Sequence, residues 1–161
     1  MGAFDRSVIA LREMLEASQL ATPATRLRVS IEPHIDSIAQ KPDDALRLIA
    51  DVPGLTLTLD WAHLVCQGIP VEDIAALLPD TRHVQIRQAA RGRLQTPFDD
   101  GQVDAAQVLT TLQAGGYEGV VCVEYMKMPG WHGMMEVNAV QESARLRDAL
   151  RTARDKASTG K

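Results

Sequence analysis

Four short aliphatic runs, at residues 27–32, 55–60, 83–87 and 120–124, constrain this chain more than any other feature. Within them apolar residues alternate with small or polar ones. Leu27, Val29 and Ile31 interleave with Arg28, Ser30 and Glu32, and Leu55, Leu57 and Leu59 with Thr56, Thr58 and Asp60. Val84 and Ile86 lie between His83, Gln85 and Arg87, and Val121 and Val123 between Val120, Cys122 and Glu124. Successive side chains of a strand point to opposite faces, so each run reads as a strand with an aliphatic face for a helix layer and a smaller, more polar face opposite. A doubly wound sheet buries both faces and calls for apolar residues throughout. A barrel has a helix-covered outside and a separate inside, and it suits the alternation better.

Helical segments separate the strands. Phe4, Val8, Leu11 and Leu15 recur at helical spacing opposite Arg12, Glu13 and Glu16, which predicts an amphipathic helix over 4–20 that ends at Thr22-Pro23. Further helices are expected at 42–51, 71–78, 104–114 and 134–153. Pro42 sits where a missing N–H costs nothing, with Asp43 and Asp44 in the first turn. Asp104 and Gln107 stand at capping-box spacing. The order is α then (βα)4, which implies parallel strands joined by right-handed crossovers. Residues 1–156 form the folded unit in this reading, and 157–161 a disordered polar tail.

Composition narrows the partners. Apolar residues make up 45% and charged residues 24%, as in an ordinary globular domain, and the net charge is −4 without a long Lys/Arg run, which argues against nucleic acid. No apolar stretch is long enough to span a membrane. The N-terminus lacks the layout of a signal peptide. The two cysteines, Cys66 and Cys122, read as reduced thiols, so a cytoplasmic location is expected.

The polar parity ends each strand with an oxygen donor: Glu32, Asp60, Gln85 and Glu124. Functional groups of parallel barrels gather at the C-terminal ends of the strands. Three carboxylates and an amide oxygen converging there make a hard-donor set for a divalent cation. Any one of these acids can instead be a helix cap or a solvated loop residue; four strand ends in succession point to metal binding.

The segments Ile31-Glu32-Pro33, Leu59-Asp60-Trp61-Ala62-His63, His83-Val84-Gln85-Ile86 and Val123-Glu124-Tyr125 resemble strands five to eight of the xylose isomerase-like TIM barrel superfamily. That superfamily includes sugar phosphate isomerases and epimerases, ketose 3-epimerases, hydroxypyruvate isomerases, inosose dehydratases and endonuclease IV. The resemblance covers roughly residues 5–150. It implies the C-terminal half, strands five to eight with their helices, of an α/β (β/α)8 barrel. It matches Glu32, Asp60, Gln85 and Glu124 to the metal ligands, His63 and Arg91 to substrate-binding residues (Arg93 being the near alternative), and Glu32 and Glu124 to the catalytic acid and base.

Many relatives have His where Gln85 stands; the hydroxypyruvate isomerase pattern has Gln. An all-oxygen set favours Mn²⁺ or Mg²⁺, with Co²⁺ or Zn²⁺ as lesser possibilities. The activity implied is a metal-dependent isomerase or epimerase that moves a proton beside the carbonyl of a sugar or hydroxy-keto acid, through an enediolate. Two alternatives stand beside it: a non-catalytic metal-binding half-barrel that completes a barrel with another chain, and an inosose dehydratase-like lyase. A histidine-rich trinuclear zinc phosphodiesterase is disfavoured, with only four histidines present.

A complete barrel takes about 250 residues. A split or truncated reading frame, a separate N-terminal half, or self-association would account for the remainder. Of the other polar residues, His34 is placed in the rim loop and His83 as a buried, hydrogen-bonded side chain. Cys122 is assigned to interior packing. Trp61 and Trp131 either wall a pocket or pack the core.

Overall fold

The computed structural model describes residues 1–21 and 28–159. Thr22-Pro23, expected to end the first helix, and Leu27, expected to open the first strand, lie outside the described residues. Four parallel strands lie side by side in chain order: β1 (Ser30–Ile31), β2 (Thr56–Asp60), β3 (Thr81–Ile86) and β4 (Val121–Val123). The helices are α1 (Ala3–Ala21), α2 (Pro42–Asp51), α3 (Trp61–Cys66), α4 (Val71–Ala75), α5 (Ala105–Ala114) and α6 (Ala139–Thr159). No described helix is long and apolar enough to cross a membrane.

The aliphatic parity becomes the core. Leu57, Leu59, Val84 and Ile86 are wholly buried, in one cluster with Ala45 and Leu48 of α2, Val108 and Leu112 of α5, and Leu146 of α6. The opposite face carries Ser30, Thr58, His83, Gln85 and Cys122. It is half-buried at its centre and exposed at Ser30 and Cys122, on the two outer strands. Cys122 is therefore not an interior packing residue, because β4 has a strand on one side only. The His83 side chain is half-buried and forms no hydrogen bond among the described residues, so the expected hydrogen-bonded interior role is not what the fold shows.

Three boundaries differ from expectation for identifiable reasons. β3 starts at Thr81, because a register shift between Leu57 and Thr58 brings Thr81 opposite Leu57. The 71–78 helix stops at Ala75 and gives way to a 3-10 turn at Leu78–Asp80, around Pro79, which has no N–H to give. The last helix begins at Ala139 rather than Met134. The Met135 N–H is already committed to the Gln95 carbonyl, and the Asn138 side chain accepts from the Gln141 N–H as a cap. At its far end this helix runs through Thr159, so Ser158 and Thr159 are helical; Gly160 and Lys161 lie outside the described residues.

Candidate functional site

Strand register brings the polar strand ends together. Asp60 and Gln85 are lateral partners, Gln85 pairs with Cys122, and the Glu124 N–H donates to the Ile86 carbonyl. By parity Glu32, Asp60, Gln85, Arg87 and Glu124 all lie on the face opposite the aliphatic core, at the C-terminal ends of their strands.

Asp60 is wholly buried and does two jobs. It closes β2 and caps α3, with Oδ1 accepting from the Ala62 N–H at 2.9 Å. The strand thus passes into a helix without a linker, which carries His63 back over the carboxylate. Oδ2 points the other way, 2.9 Å from Nη2 of Arg87 and 3.5 Å from Nε2 of His63. Burial pushes the Asp60 carboxyl up to about 7, against the pull of Arg87, with Glu32 and Glu124 adding to the rise.

His63 is buried and neutral. Burial first, then the neighbouring His34 and Arg87, hold it down at about 3. Its Nδ1 accepts from the Ile35 N–H at 3.2 Å, so the proton of the neutral ring is on Nε2. That Nε2 lies 3.4 Å from Glu32 Oε1. The Ile35 carbonyl in turn accepts from Nδ1 of His34 at 2.6 Å. One residue, Ile35, therefore fixes both imidazoles through its N–H and its carbonyl; the ring centroids are 4.0 Å apart.

Trp131 closes this side, with its ring 5.4 Å from His34 and 6.2 Å from His63. Its neighbour His132 pairs with Asp36 at 2.7 Å, tying the loop after β4 to the loop after β1. Both paired residues adopt left-handed backbone conformations, at φ 66° for Asp36 and 45° for His132, which side chains other than glycine adopt at a cost.

Glu124 divides its oxygens. Oε2 pairs with Nη1 of Arg87 at 3.0 Å, and Oε1 faces Nε2 of Gln85 at 3.4 Å. Glu32 is partly exposed, and burial raises its carboxyl above the usual range; Glu124 adds to the rise, against His34 and Arg87.

Of the buried oxygens in this group, Gln85 Oε1 has no hydrogen-bond partner, and Asp60 Oδ2 has no well-aligned hydrogen bond, only the ion pair with Arg87 at 2.9 Å. A buried acceptor left unpaired, as Gln85 Oε1 is, costs about 1–3 kcal/mol, and a cation beside it would satisfy it while sharing Asp60 Oδ2 with Arg87. With Glu32 and Glu124 alongside, the donor set fits a hard divalent ion. Glu32, His34 and His63 also bring one potential ligand atom each within 4.8 Å of one another. In the tautomer set by Ile35, however, His63 presents an N–H toward the carboxylates rather than a lone pair.

Arg91 does not join the cluster. It is exposed, and its guanidinium lies over Gly68, where a glycine Cβ would meet Nε at 3.3 Å. Arg93 is exposed too and reaches Met135 Sδ. The residue the sequence reading passed over is Arg87, wholly buried among the carboxylates. Its signal was present, since Arg87 continues the parity of His83 and Gln85 by one step toward the strand end.

The model for the xylose isomerase-like TIM barrel family matches residues 3–155. No curated protein matches the chain in sequence. Among solved structures, an L-ribulose 3-epimerase superposes with a TM-score of 0.72 at 20% identity, over 97% of this chain and 57% of its own. A 3-keto-D-glucoside 4-epimerase from E. coli gives 0.65 at 19%, over 96% and 56%. A xylose isomerase-like TIM barrel protein from Mycobacterium smegmatis, in complex with magnesium, gives 0.65 at 21%, over 93% and 51%. The chain thus spans little more than half the length of these structures, and its sheet is TIM-barrel-like with parallel strands. Matched over almost its whole length by the family model, the chain belongs to the xylose isomerase-like TIM barrel family.

Proposed function

We propose that this chain supplies the metal-binding half of a (β/α)8 barrel, and that the completed barrel isomerises or epimerises a sugar or a hydroxy-keto acid. The observation that carries the reading is the row of oxygens at the strand ends: buried Gln85 Oε1 without a hydrogen-bond partner and buried Asp60 Oδ2 without a well-aligned one, set between Glu32 and Glu124. The names of the neighbouring structures, an L-ribulose 3-epimerase and a 3-keto-D-glucoside 4-epimerase, support a sugar as substrate.

Glu32, Asp60, Gln85 and Glu124 would hold the cation, with Mn²⁺ or Mg²⁺ favoured by the all-oxygen set. When bound, such an ion supplies Lewis-acid polarisation of the carbonyl and offsets the charge that develops on its oxygen. The chain's own groups do the rest. Glu32 and Glu124, on the outer strands and partly open to solvent, take the proton from the carbon beside the carbonyl and return it, passing through the enediolate. His63 keeps its Nε2–H facing the carboxylates and orients the substrate's hydroxyls, while His34 and Trp131 wall the same side. Arg91 would reach substrate only from the loop it occupies over Gly68.

The test is solvent-deuterium exchange, followed by NMR, across hydroxypyruvate, a free ketose, a sugar phosphate and a cyclitol ketone with Mn²⁺ or Mg²⁺ present. Incorporation beside the carbonyl in one class, dependent on the ion, is the expected result. No exchange in any class, from an assembly that holds its metal, would leave the second reading: a non-catalytic metal-binding half that completes a barrel with another chain. The chain's span of little more than half of the neighbours' length favours that second reading enough to keep it.

A further inference from the structure

Arg87 is out of place for an ordinary surface arginine. Its side chain is wholly buried on a strand end, where arginine is rare unless paired. Every nitrogen is engaged with the site or its rim. Nη2 lies 2.9 Å from Asp60 Oδ2 and Nη1 3.0 Å from Glu124 Oε2; Nη1 also donates to the Glu124 carbonyl at 3.2 Å and Nε to the Leu94 carbonyl at 3.3 Å. Nη2 also comes within 3.4 Å of His63 Nε2. A guanidinium with this many fixed contacts has one orientation, and it spans the two carboxylates that β2 and β4 bring from opposite sides of β3.

We propose that Arg87 is a built-in counter-ion of the centre, which holds Asp60 and Glu124 in place before any metal arrives and competes with the metal for Asp60. The inference rests on the metal-binding reading above. Three carboxylates, Glu32, Asp60 and Glu124, converge on the cluster, and the fixed guanidinium sets one positive charge against two of them at 2.9 and 3.0 Å, in the place a cation would otherwise fill. Arg87 also claims Oε2 of Glu124 and leaves Oε1 turned toward Gln85. It shares Asp60 Oδ2 with the position a cation would take. The cost of the arrangement is affinity: a fixed positive charge beside the ion repels it, and removing that charge makes the ion the only counter-charge available.

The prediction is a coupling between Arg87 and the metal, which a purely packing role would not produce. In the full chain, R87Q keeps hydrogen-bonding groups without the charge, R87M removes both, and R87K keeps the charge without the fork. Mn²⁺ affinity by equilibrium dialysis and the Mn²⁺-induced rise in Tm are measured for all four proteins. R87Q and R87M should melt lower than wild type without metal, gain more from Mn²⁺, and bind it roughly tenfold more tightly, within the usual span of coupled sites. R87K should bind near the wild-type level. If R87Q does not fold, R87M carries the same comparison. A neutral variant that folds only with Mn²⁺ supports the proposal.

Equal affinity in wild type and neutral variants, with only Tm lowered, overturns the proposal and leaves the metal reading standing. Binding by the neutral variants alone upholds Arg87 as the resident counter-ion and removes metal dependence from the natural protein. No uptake by any of the four overturns both.

Discussion

In the inner strands the sheet is sealed, and in the outer strands it is open. Leu57, Leu59, Val84 and Ile86 of β2 and β3 have no exposed surface, whereas Ile31 of β1 and Val121 and Val123 of β4 are half-exposed. The polar face follows the same division. Asp60 and the Arg87 that follows β3 have fully buried side chains, while those of Glu32 and Glu124, past the ends of β1 and β4, keep 31% and 35% of their surface. The cause is strand order, since β2 and β3 have a neighbour on each side and β1 and β4 on one only. The lesson is a division of labour. The fixed ion pair of Asp60 and Arg87 stands where the sheet is doubly paired, and the two partly exposed carboxylates, Glu32 and Glu124, stand at the ends of the outer strands.

The largest effect should come from the outer carboxylates. Glu124→Gln preserves shape and one acceptor oxygen, so it can keep the bond from Arg87 while turning an NH2 toward Gln85 Nε2, and it removes the proposed base. Deuterium exchange in the completed enzyme should fall about 10²–10⁴-fold, with Glu32→Gln similar. A Glu124→Gln protein that exchanged at the wild-type rate would move the proton-transfer role away from the open strands and break the comparison at its functional end.

Next comes the sealed centre. Asp60→Ala removes the α3 cap and leaves Arg87 buried with a partner missing. Loss of one member of a buried pair typically costs about 3–5 kcal/mol, and the cap about 1 kcal/mol. Urea unfolding should show a loss in that range without metal. A loss no greater than a surface substitution would mean that Arg87 relaxes toward solvent, and that the centre is not fixed.

The aliphatic layer gives a third, smaller contrast. Leu59→Ala should cost about 2–5 kcal/mol, as truncations at sealed sites do. Val121→Ala should cost about 1 kcal/mol or less, because its side chain is only partly buried. If the two costs proved alike, the free edge of β4 would have to be covered in solution, by a second copy or by another chain. The thiols sharpen the same point: exposed Cys122 should react quickly with a thiol reagent and buried Cys66 slowly, with Cys122 becoming protected on association with a barrel-completing chain.

Much of this was legible in the chain because the signals are local. Pro42 with two acids behind it marks the start of α2 to the residue, and Asp104 caps α5 with the Ala106 and Gln107 N–H groups. Strand parity, a period of two, placed the strand-end oxygens on one face. What escaped was either short or distant. The six residues of α3 are too few to show a helical period, and their first cap is the last residue of a strand. Parity puts Arg87 on the polar face but cannot show its pairing with Glu124, 37 residues away on another strand. Hydropathy likewise cannot announce that His34, His63 and Trp131 meet, because their contact depends on two loops that cross the same end of the sheet.

The smallest effect tests those loops. Asp36 and His132 are 96 residues apart, pair at 2.7 Å, and are the only non-glycine residues with positive φ among the described residues. Asp36 is well exposed, so the pair itself is worth roughly 0.2–1 kcal/mol, and Asp36→Asn should scarcely move Tm. Its consequence should instead appear at Trp131, whose ring lies 4.6 Å from that of His132. With Trp61 replaced by Phe so that Trp131 alone reports, acrylamide quenching should rise in Asp36→Asn and rise further in Asp36→Gly. The glycine removes the carboxylate but tolerates the same backbone, so it separates the pair from the conformation. Unchanged quenching in both would show that the rim loop holds Trp131 over His63 by packing alone, and would extend the rigidity of the inner strands to a part of the molecule assigned here to the open side.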